Sequence, residues 1–198
     1  MDDFHHPFER RKRQSIYWHN KASDLRGSAG VLWAAMNDPK ASETAQRLGL
    51  SPGFSFSIAC WPVYQMLCGM ALELLLKATL VAKGVEPKPT HDLGTLGRDA
   101  GIPFTNRQRA LMSIYSEAIV WEGRYPVPKQ EHRFYQLSEL EWEHLFDPVP
   151  APSGVSFRRP NEGLSWESFN RMWQLIYASY WEAANKPLNT DASEAGAG

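Results

Sequence analysis

The sequence predicts an all-α protein in a single domain over residues 1–186. Three observations support this fold class. Apolar residues recur at every third or fourth position in several segments, which is the spacing of one helix face. Gly, Pro, Asn and Asp separate these segments. The 198 residues are 43% hydrophobic, enough to build one core.

The most apolar segment, residues 62–84, is the expected core helix of the protein. Pro62 suits its first turn and Gly84 its end. Glu73 and Lys77 stand at i,i+4, either as an ordinary helix pair or as part of a site. Because these charges fall near the middle, we interpret the segment as a core helix of a soluble protein and exclude a membrane span. Seven residues form its apolar stripe: Val63, Leu67, Met70, Ala71, Leu74, Ala78 and Val81. Four more extend the stripe round the helix: Cys68, Leu72, Leu75 and Leu76.

The composition narrows the classes of function. The net charge of −1 indicates neither a basic nucleic-acid coat nor an acidic tail, although a local patch remains compatible with RNA. Cys60 and Cys68 are expected to be reduced thiols, and no CxxC or HExxH spacing suggests a metal. The sequence shows no recognisable secretory signal peptide, in which a cationic and then an apolar run precede a small-residue cleavage site. We therefore expect a cytoplasmic protein without cofactor, metal or membrane partner.

The first long helix is predicted from about residue 10 to 37, where Asn-Asp-Pro ends it. It opens with a basic run that is either a solvated helix end or a contact for phosphates or an acidic partner: Arg10, Arg11, Lys12 and Arg13. Residues 42–48 predict a short helix. Residues 51–61 predict a loop with an extended, aromatic piece lying on the core.

Two more helices are predicted after the core segment. Thr90 is expected to cap the first, with Asp92 in its first turn, where a negative charge suits the helix dipole. Thr105 or Asn106 caps the second, which reaches about Glu122 and is followed by Gly-Arg-Tyr-Pro.

Three motifs follow one another along the chain: GMALELLLKATLVAKG, THDLGTLGRDAGI and WEGRYP. In this order they resemble the HEPN domain, the nucleotide-binding helical bundle named for higher eukaryotes and prokaryotes. The resemblance covers roughly residues 10–126 and a last helix. It implies a HEPN-like, up-and-down bundle of four to five helices, often a homodimer, that associates with RNA or nucleotides. In many members it also implies metal-independent RNA cleavage within toxin or defence systems.

The chain departs from the ribonuclease members of that family. Those members carry an Arg, then four to six residues, then a His, because the Arg can hold a phosphate while the His moves a proton. Here seven residues, two of them prolines, separate Arg124 from His132, so the two cannot share a regular helix turn. Arg13 and His19 have a five-residue gap but belong to the first helix. Whether the protein is an enzyme therefore stays open.

Several candidate site residues are expected to gather at one end of the bundle. If successive helices run antiparallel, the end of the core helix, the start of the helix at His91 and the end of the helix at Arg124 share a pole. His91, Asp92, Arg124 and Tyr125 would then be neighbours, with Lys77 about 10 Å below and pointing toward them. The basic start of the first helix is expected at the same end.

This predicted cluster has two interpretations. It can bind a phosphate through its cations and stack a base on Tyr125, with His91 and Arg124 as the candidate catalytic pair. Alternatively, His91 and Asp92 only cap a helix, and Arg124 anchors the loop that follows.

Residues 127–164 predict a long loop insertion before the last helix, mobile apart from a short helix at 137–146. Ser165 is expected to cap the last helix, which spans 166–185. Residues 187–198 predict a disordered tail. An aromatic stripe on the last helix indicates core packing or a dimer face: Phe169, Met172, Trp173, Ile176, Tyr177, Tyr180 and Trp181.

We therefore predict a HEPN-domain homodimer that binds RNA, a nucleotide or a protein partner in a toxin or defence system. One alternative is a metal-independent ribonuclease that uses Arg124 with His91 or His132. Another is a non-catalytic helical dimerisation scaffold.

Overall fold

The computed structural model describes residues 5–150 and 157–186, and the chain is mostly helical. The predicted all-α class is confirmed, with one small hairpin added. The helices are α1 (His5–Arg13), α2 (Ser15–Met36), α3 (Ala41–Arg47), α4 (Phe56–Ala59), α5 (Trp61–Ala82), α6 (Leu93–Asp99), α7 (Asn106–Glu117), a π-helix (Ala118–Glu122), α8 (Glu131–His144) and α9 (Trp166–Ala184). Strands β1 (Phe146–Val149) and β2 (Phe157–Pro160) pair antiparallel, with Phe146 opposite Pro160.

Helix α5 is the centre of the core, as its apolar sequence predicts. It packs against α2, α9, α6, α7 and the π-helix. Because neighbours surround it on most sides, Glu73 and Lys77 are buried together with the apolar residues. The expected stripe is wrong at Val63, which is 37% exposed, whereas Tyr64, which it left out, is fully buried. The expected extension of the apolar face is confirmed, since Cys68, Leu72, Leu75 and Leu76 are fully buried. Cys60 and Cys68 are both free thiols.

Helix α5 is also the one described helix that is long and apolar enough to cross a membrane. However, 67% of its most apolar stretch is buried inside the protein. This packing is that of a core helix in a soluble protein, in agreement with the sequence-based prediction.

The predicted first helix is divided in two. Gln14 has an extended backbone, with φ −102° and ψ 114°, so α1 ends before it and α2 begins after it. Neither Gly nor Pro marks this position, and the periodicity of the sequence could not show it. Two contacts fix α1 instead: the indole Nε1 of Trp18 donates to the Lys12 carbonyl, and Lys12 pairs with Glu86 beyond the end of α5.

Three other local predictions need correction. The aromatic piece near residue 56 forms the short helix α4 and is not extended. Asp92, and not Thr90, caps α6, because the Asp92 carboxylate accepts a hydrogen bond from the Thr95 amide. The insertion before α9 contains helix α8 and the β1–β2 hairpin, so its described part is an ordered unit.

Helix α7 begins as predicted and ends in an unexpected way. Thr105 and Gln108 form a reciprocal capping box at its start. The last turns widen into the π-helix, which packs against α5. A Cβ on Gly69 would lie 2.8 Å from the Tyr115 carbonyl oxygen, so this contact requires glycine.

The aromatic stripe of α9 is core packing. Phe169, Met172, Trp173, Ile176 and Tyr180 are all buried within the chain, whereas Trp181 is 58% exposed. The N-cap prediction for Ser165 is confirmed by its bond from the Ser168 amide. Because most of the stripe is already buried, it does not supply the dimer face of the scaffold hypothesis. The predicted tail, residues 187–198, lies outside the described residues.

Candidate functional site

The connection between α5 and α6 decides where the predicted site residues lie. Residues 85–92 run back along α5, since the Nδ1 atom of His91 lies 2.8 Å from the Glu73 carboxylate in the middle of that helix. Helix α6 then runs toward the C-terminal end of α5, because Lys83 Nζ, just after α5, donates a hydrogen bond to the carbonyl of Ala100 at the end of α6. Helix α6 is therefore parallel to α5, and the assumed antiparallel order is wrong at this step.

Arg124 consequently lies at the opposite pole from Gly84. Helix α7 runs down α5, and a Cβ on Gly123 would lie 2.5 Å from the Cβ atom of Met66. Met66 precedes Glu73 by two turns, so Arg124 is about 10 Å from the level of His91 along the α5 axis. The prediction that His91 and Arg124 are neighbours is therefore wrong.

Arg124, Tyr125 and His132 are all exposed. The Arg124 guanidinium lies 5.4 Å from the centre of the Tyr125 ring and donates to the Val120 carbonyl of its own helix turn. His132 lies in the first turn of α8. These three residues share no described contact with Lys77, His91 or Asp92.

Lys77 and His91 do meet, through a residue that the site prediction left out. Lys77 Nζ donates to one oxygen of Glu73 at 2.6 Å, and His91 bonds the other at 2.8 Å. Glu73 and Lys77 are 6% and 9% exposed, whereas the His91 side chain is 60% exposed. The buried carboxylate thus fixes the imidazole at the surface. The i,i+4 spacing of Glu73 and Lys77 was the sequence signal for this pair.

Asp92 has a structural role. Burial opposes the ionisation of its carboxyl, but hydrogen bonds from Thr95 and Gly94 outweigh this effect and lower its pKa. The alternative interpretation, in which Asp92 caps a helix, is therefore confirmed.

A large groove lies at the C-terminal end of α5. It has a volume of about 920 Å³ and is enclosed by α1, the start of α2, α5 and the first residues of the 85–92 connection. Seven apolar or aromatic side chains line it: Phe8, Tyr17, Trp18, Leu74, Val81, Val85 and Pro87. The expectation that the basic start of the first helix lies at this pole is confirmed.

The rim of the groove is strongly cationic. Arg11, Lys12, Arg13 and Lys21 line it, and Glu86 is the one carboxylate among the described lining residues. Lys12 Nζ lies 2.8 Å from Glu86, and Arg13 lies 3.4 Å from Glu9. Within the described residues, Arg11 and Lys21 form no ion pair. Two cations are thus available to an anionic ligand.

Aromatic rings accompany these cations. The Arg11 guanidinium lies 5.8 Å from the centre of the Tyr17 ring, and the Phe8 side chain is 67% exposed. Aromatic faces beside guanidinium and ammonium groups can hold a planar base and its phosphates.

Sequence reasoning found the basic run but missed Tyr17, Trp18 and Lys21 as site residues. The signal was present, because these aromatics and the lysine follow the run within eight residues. By contrast, the Arg13 and His19 spacing gives no joint site. Arg13 ends α1 at the groove, whereas the His19 ring stacks on Tyr180 with centroids 4.8 Å apart.

A cluster of three carboxylates lies where the π-helix meets α8. Glu117 accepts bonds from Trp121 and Arg133, each at 2.7 Å. Glu122 is different: burial, with the charges of Glu141 and Glu117, raises the pKa of its carboxyl to about 7. Burial also raises the pKa of Glu141. In the described part of the chain, no three His, Cys, Asp or Glu residues are arranged to hold a metal ion.

Comparison with protein-family models, curated proteins and solved structures finds no match to this chain. The HEPN resemblance therefore stays a prediction that rests on the three motifs.

Proposed function

We propose that the protein is a HEPN-like binding module that holds RNA or a nucleotide in the groove at the end of α5. The observation that carries this proposal is the combination of four cations with three aromatic rings around one apolar groove. The HEPN resemblance supports a role for such a module in a toxin or defence system, as a homodimer.

The chemistry of the groove suits a base joined to phosphate. Arg11 and Lys21 supply positive charge for phosphate oxygens, and an arginine can bind two of them at once. Phe8, Tyr17 and Trp18 supply flat apolar faces, and stacking is worth roughly 1–3 kcal/mol per base. A groove of about 920 Å³ falls in the size range of small-ligand sites.

A binding measurement tests this function. Titrating the protein into a fluorescent oligouridine, and separately into a fluorescent ATP analogue, should give saturable binding that weakens as salt rises, because phosphate contacts release counterions. The two titrations distinguish RNA from a free nucleotide as the source of the base and phosphate. We expect the variant Arg11→Gln/Lys21→Gln to lose at least tenfold in affinity, about 1.4 kcal/mol.

The control variant is Arg47→Gln/Arg107→Gln, which removes the same charge from exposed positions on α3 and α7. It should bind within about twofold of the wild type. Equal losses in both variants would show that net charge, and not this groove, attracts the ligand. If the wild type binds neither probe, the proposed function is refuted.

A second candidate function is metal-independent RNA cleavage with His91 as the proton carrier. One observation favours it: the buried Glu73 holds the exposed imidazole in place, an arrangement that catalytic histidines use. Arg124 lies about 10 Å from the level of His91 along the α5 axis and shares no described contact with it. The candidate therefore depends on His91.

Incubating mixed RNA with the protein in EDTA tests this candidate. We expect His91→Ala to lose at least a hundredfold of any cleavage, because general acid–base catalysis contributes about that much. Arg124→Ala should retain the wild-type rate. Cleavage that persists unchanged in His91→Ala would exclude this role for His91.

A further inference from the structure

One ion pair spans the mouth of the proposed groove. Lys12 in α1 and Glu86 in the 85–92 connection lie on opposite walls, with Nζ and carboxylate oxygen 2.8 Å apart. The side chains are 48% and 74% exposed, so the pair is open to solvent and to any ligand. Each residue stabilises the charged form of the other: the hydrogen bond and charge of Glu86 raise the pKa of Lys12, and those of Lys12 lower the pKa of Glu86.

The position of the pair gives it a role beyond fixing a loop. Lys12 is one of the four rim cations, and Glu86 is the one described carboxylate among them. Helix α1 otherwise packs on α2, to which it is joined through the extended residue Gln14. The carboxylate therefore lies where an anion would lie on this rim, and it also holds α1 against the opposite wall.

We infer that Glu86 is an internal competitor that occupies on Lys12 the place of a ligand phosphate. This inference rests on the proposed function of the groove. A phosphate and a carboxylate make the same kind of charge-assisted bond to an ammonium group. Exposed ion pairs are weak, so a phosphate can replace Glu86 at little cost. Removing the carboxylate should then strengthen binding of the ligand.

A cycle of variants tests the competition with the same oligouridine and ATP probes. Glu86→Gln should tighten binding about two- to fivefold, the range that corresponds to one exposed pair. In a Lys12→Met background, the same Glu86 change should alter the affinity less than 1.5-fold, because the contested cation is gone. The matched control is Asp99→Asn. It also removes one negative charge from an ion pair, that with Lys88 at 2.8 Å, at a position that is not part of the groove lining.

The outcomes separate the inference from the proposed function. If the wild type binds and Glu86→Gln binds no better than Asp99→Asn, the competition is refuted while the groove remains a binding site. The same holds if Glu86→Gln binds more weakly, since Glu86 would then contact the ligand. If the wild type does not bind but Glu86→Gln does, the proposed function of the wild type is refuted, although the competition at Lys12 is supported. If neither binds, both proposals fail.

Discussion

Replacing Glu73 with leucine is expected to lower the free energy of unfolding by roughly 3–5 kcal/mol, the cost of leaving a buried charge without its partner. Glu73 bonds the Lys77 ammonium at 2.6 Å, and both side chains are almost fully buried. Without the carboxylate, the ammonium group of Lys77 is left in the apolar core without its buried partner. Urea unfolding at pH 7, followed by circular dichroism, measures this loss.

The double variant Glu73→Leu/Lys77→Met is the control for this prediction. Because it removes both charges and keeps apolar volume, it should recover most of the lost stability. His91→Ala should cost much less, since that side chain is 60% exposed. A double variant as unstable as Glu73→Leu alone would show that packing, and not the unpaired charge, causes the loss.

Glu122→Gln is expected to raise the free energy of unfolding by about 2 kcal/mol at pH 8, after allowance for partial solvent screening. The pKa of this carboxyl rises from its ordinary value of 4.5 to about 7 in the folded protein. Between these pH values the folded state binds more protons than the unfolded state, so wild-type stability falls as pH rises through this window. Above pH 7 the penalty of the buried charge is complete.

The pH dependence provides the check. The advantage of Glu122→Gln should grow from near zero at pH 4.5 to its full size above pH 7, as measured by thermal or urea unfolding. Glu139→Gln is the matched control, because Glu139 is exposed on the same helix as Glu141. It should shift stability by less than about 0.5 kcal/mol at any pH. An advantage that does not change with pH would contradict the proposed cause.

The sequence predicted those parts of the fold that depend on local chemistry. Thr105 and Ser165 begin their helices as expected, because a hydroxyl cap requires only residues within one turn. The central position of α5 also follows from its own apolar content. Asp92 replaced Thr90 as a cap because two neighbouring residues both satisfy the sequence rule, and only the structure shows which one accepts the Thr95 amide.

The direction of the chain after α5 could not be read from the sequence. A connection of ten residues, 83–92, can turn directly into the next helix or run back along the last one. That choice moved His91 to the level of Glu73 and separated it from Arg124. The groove was missed for a related reason, because its walls come from parts of the chain far apart in sequence, and the break at Gln14 carries no Gly or Pro.

The return of the 85–92 connection also sets a lower limit on its length. From Lys83 back to the level of Glu73 is ten helical residues, about 15 Å along the axis. The seven steps from Gly84 to His91 can span at most roughly 25 Å. Losing one or two residues leaves enough chain to cover this distance, whereas losing four leaves roughly 10 Å and cannot. Deletions in this segment are therefore limited by geometry, while added residues need only bulge into solvent.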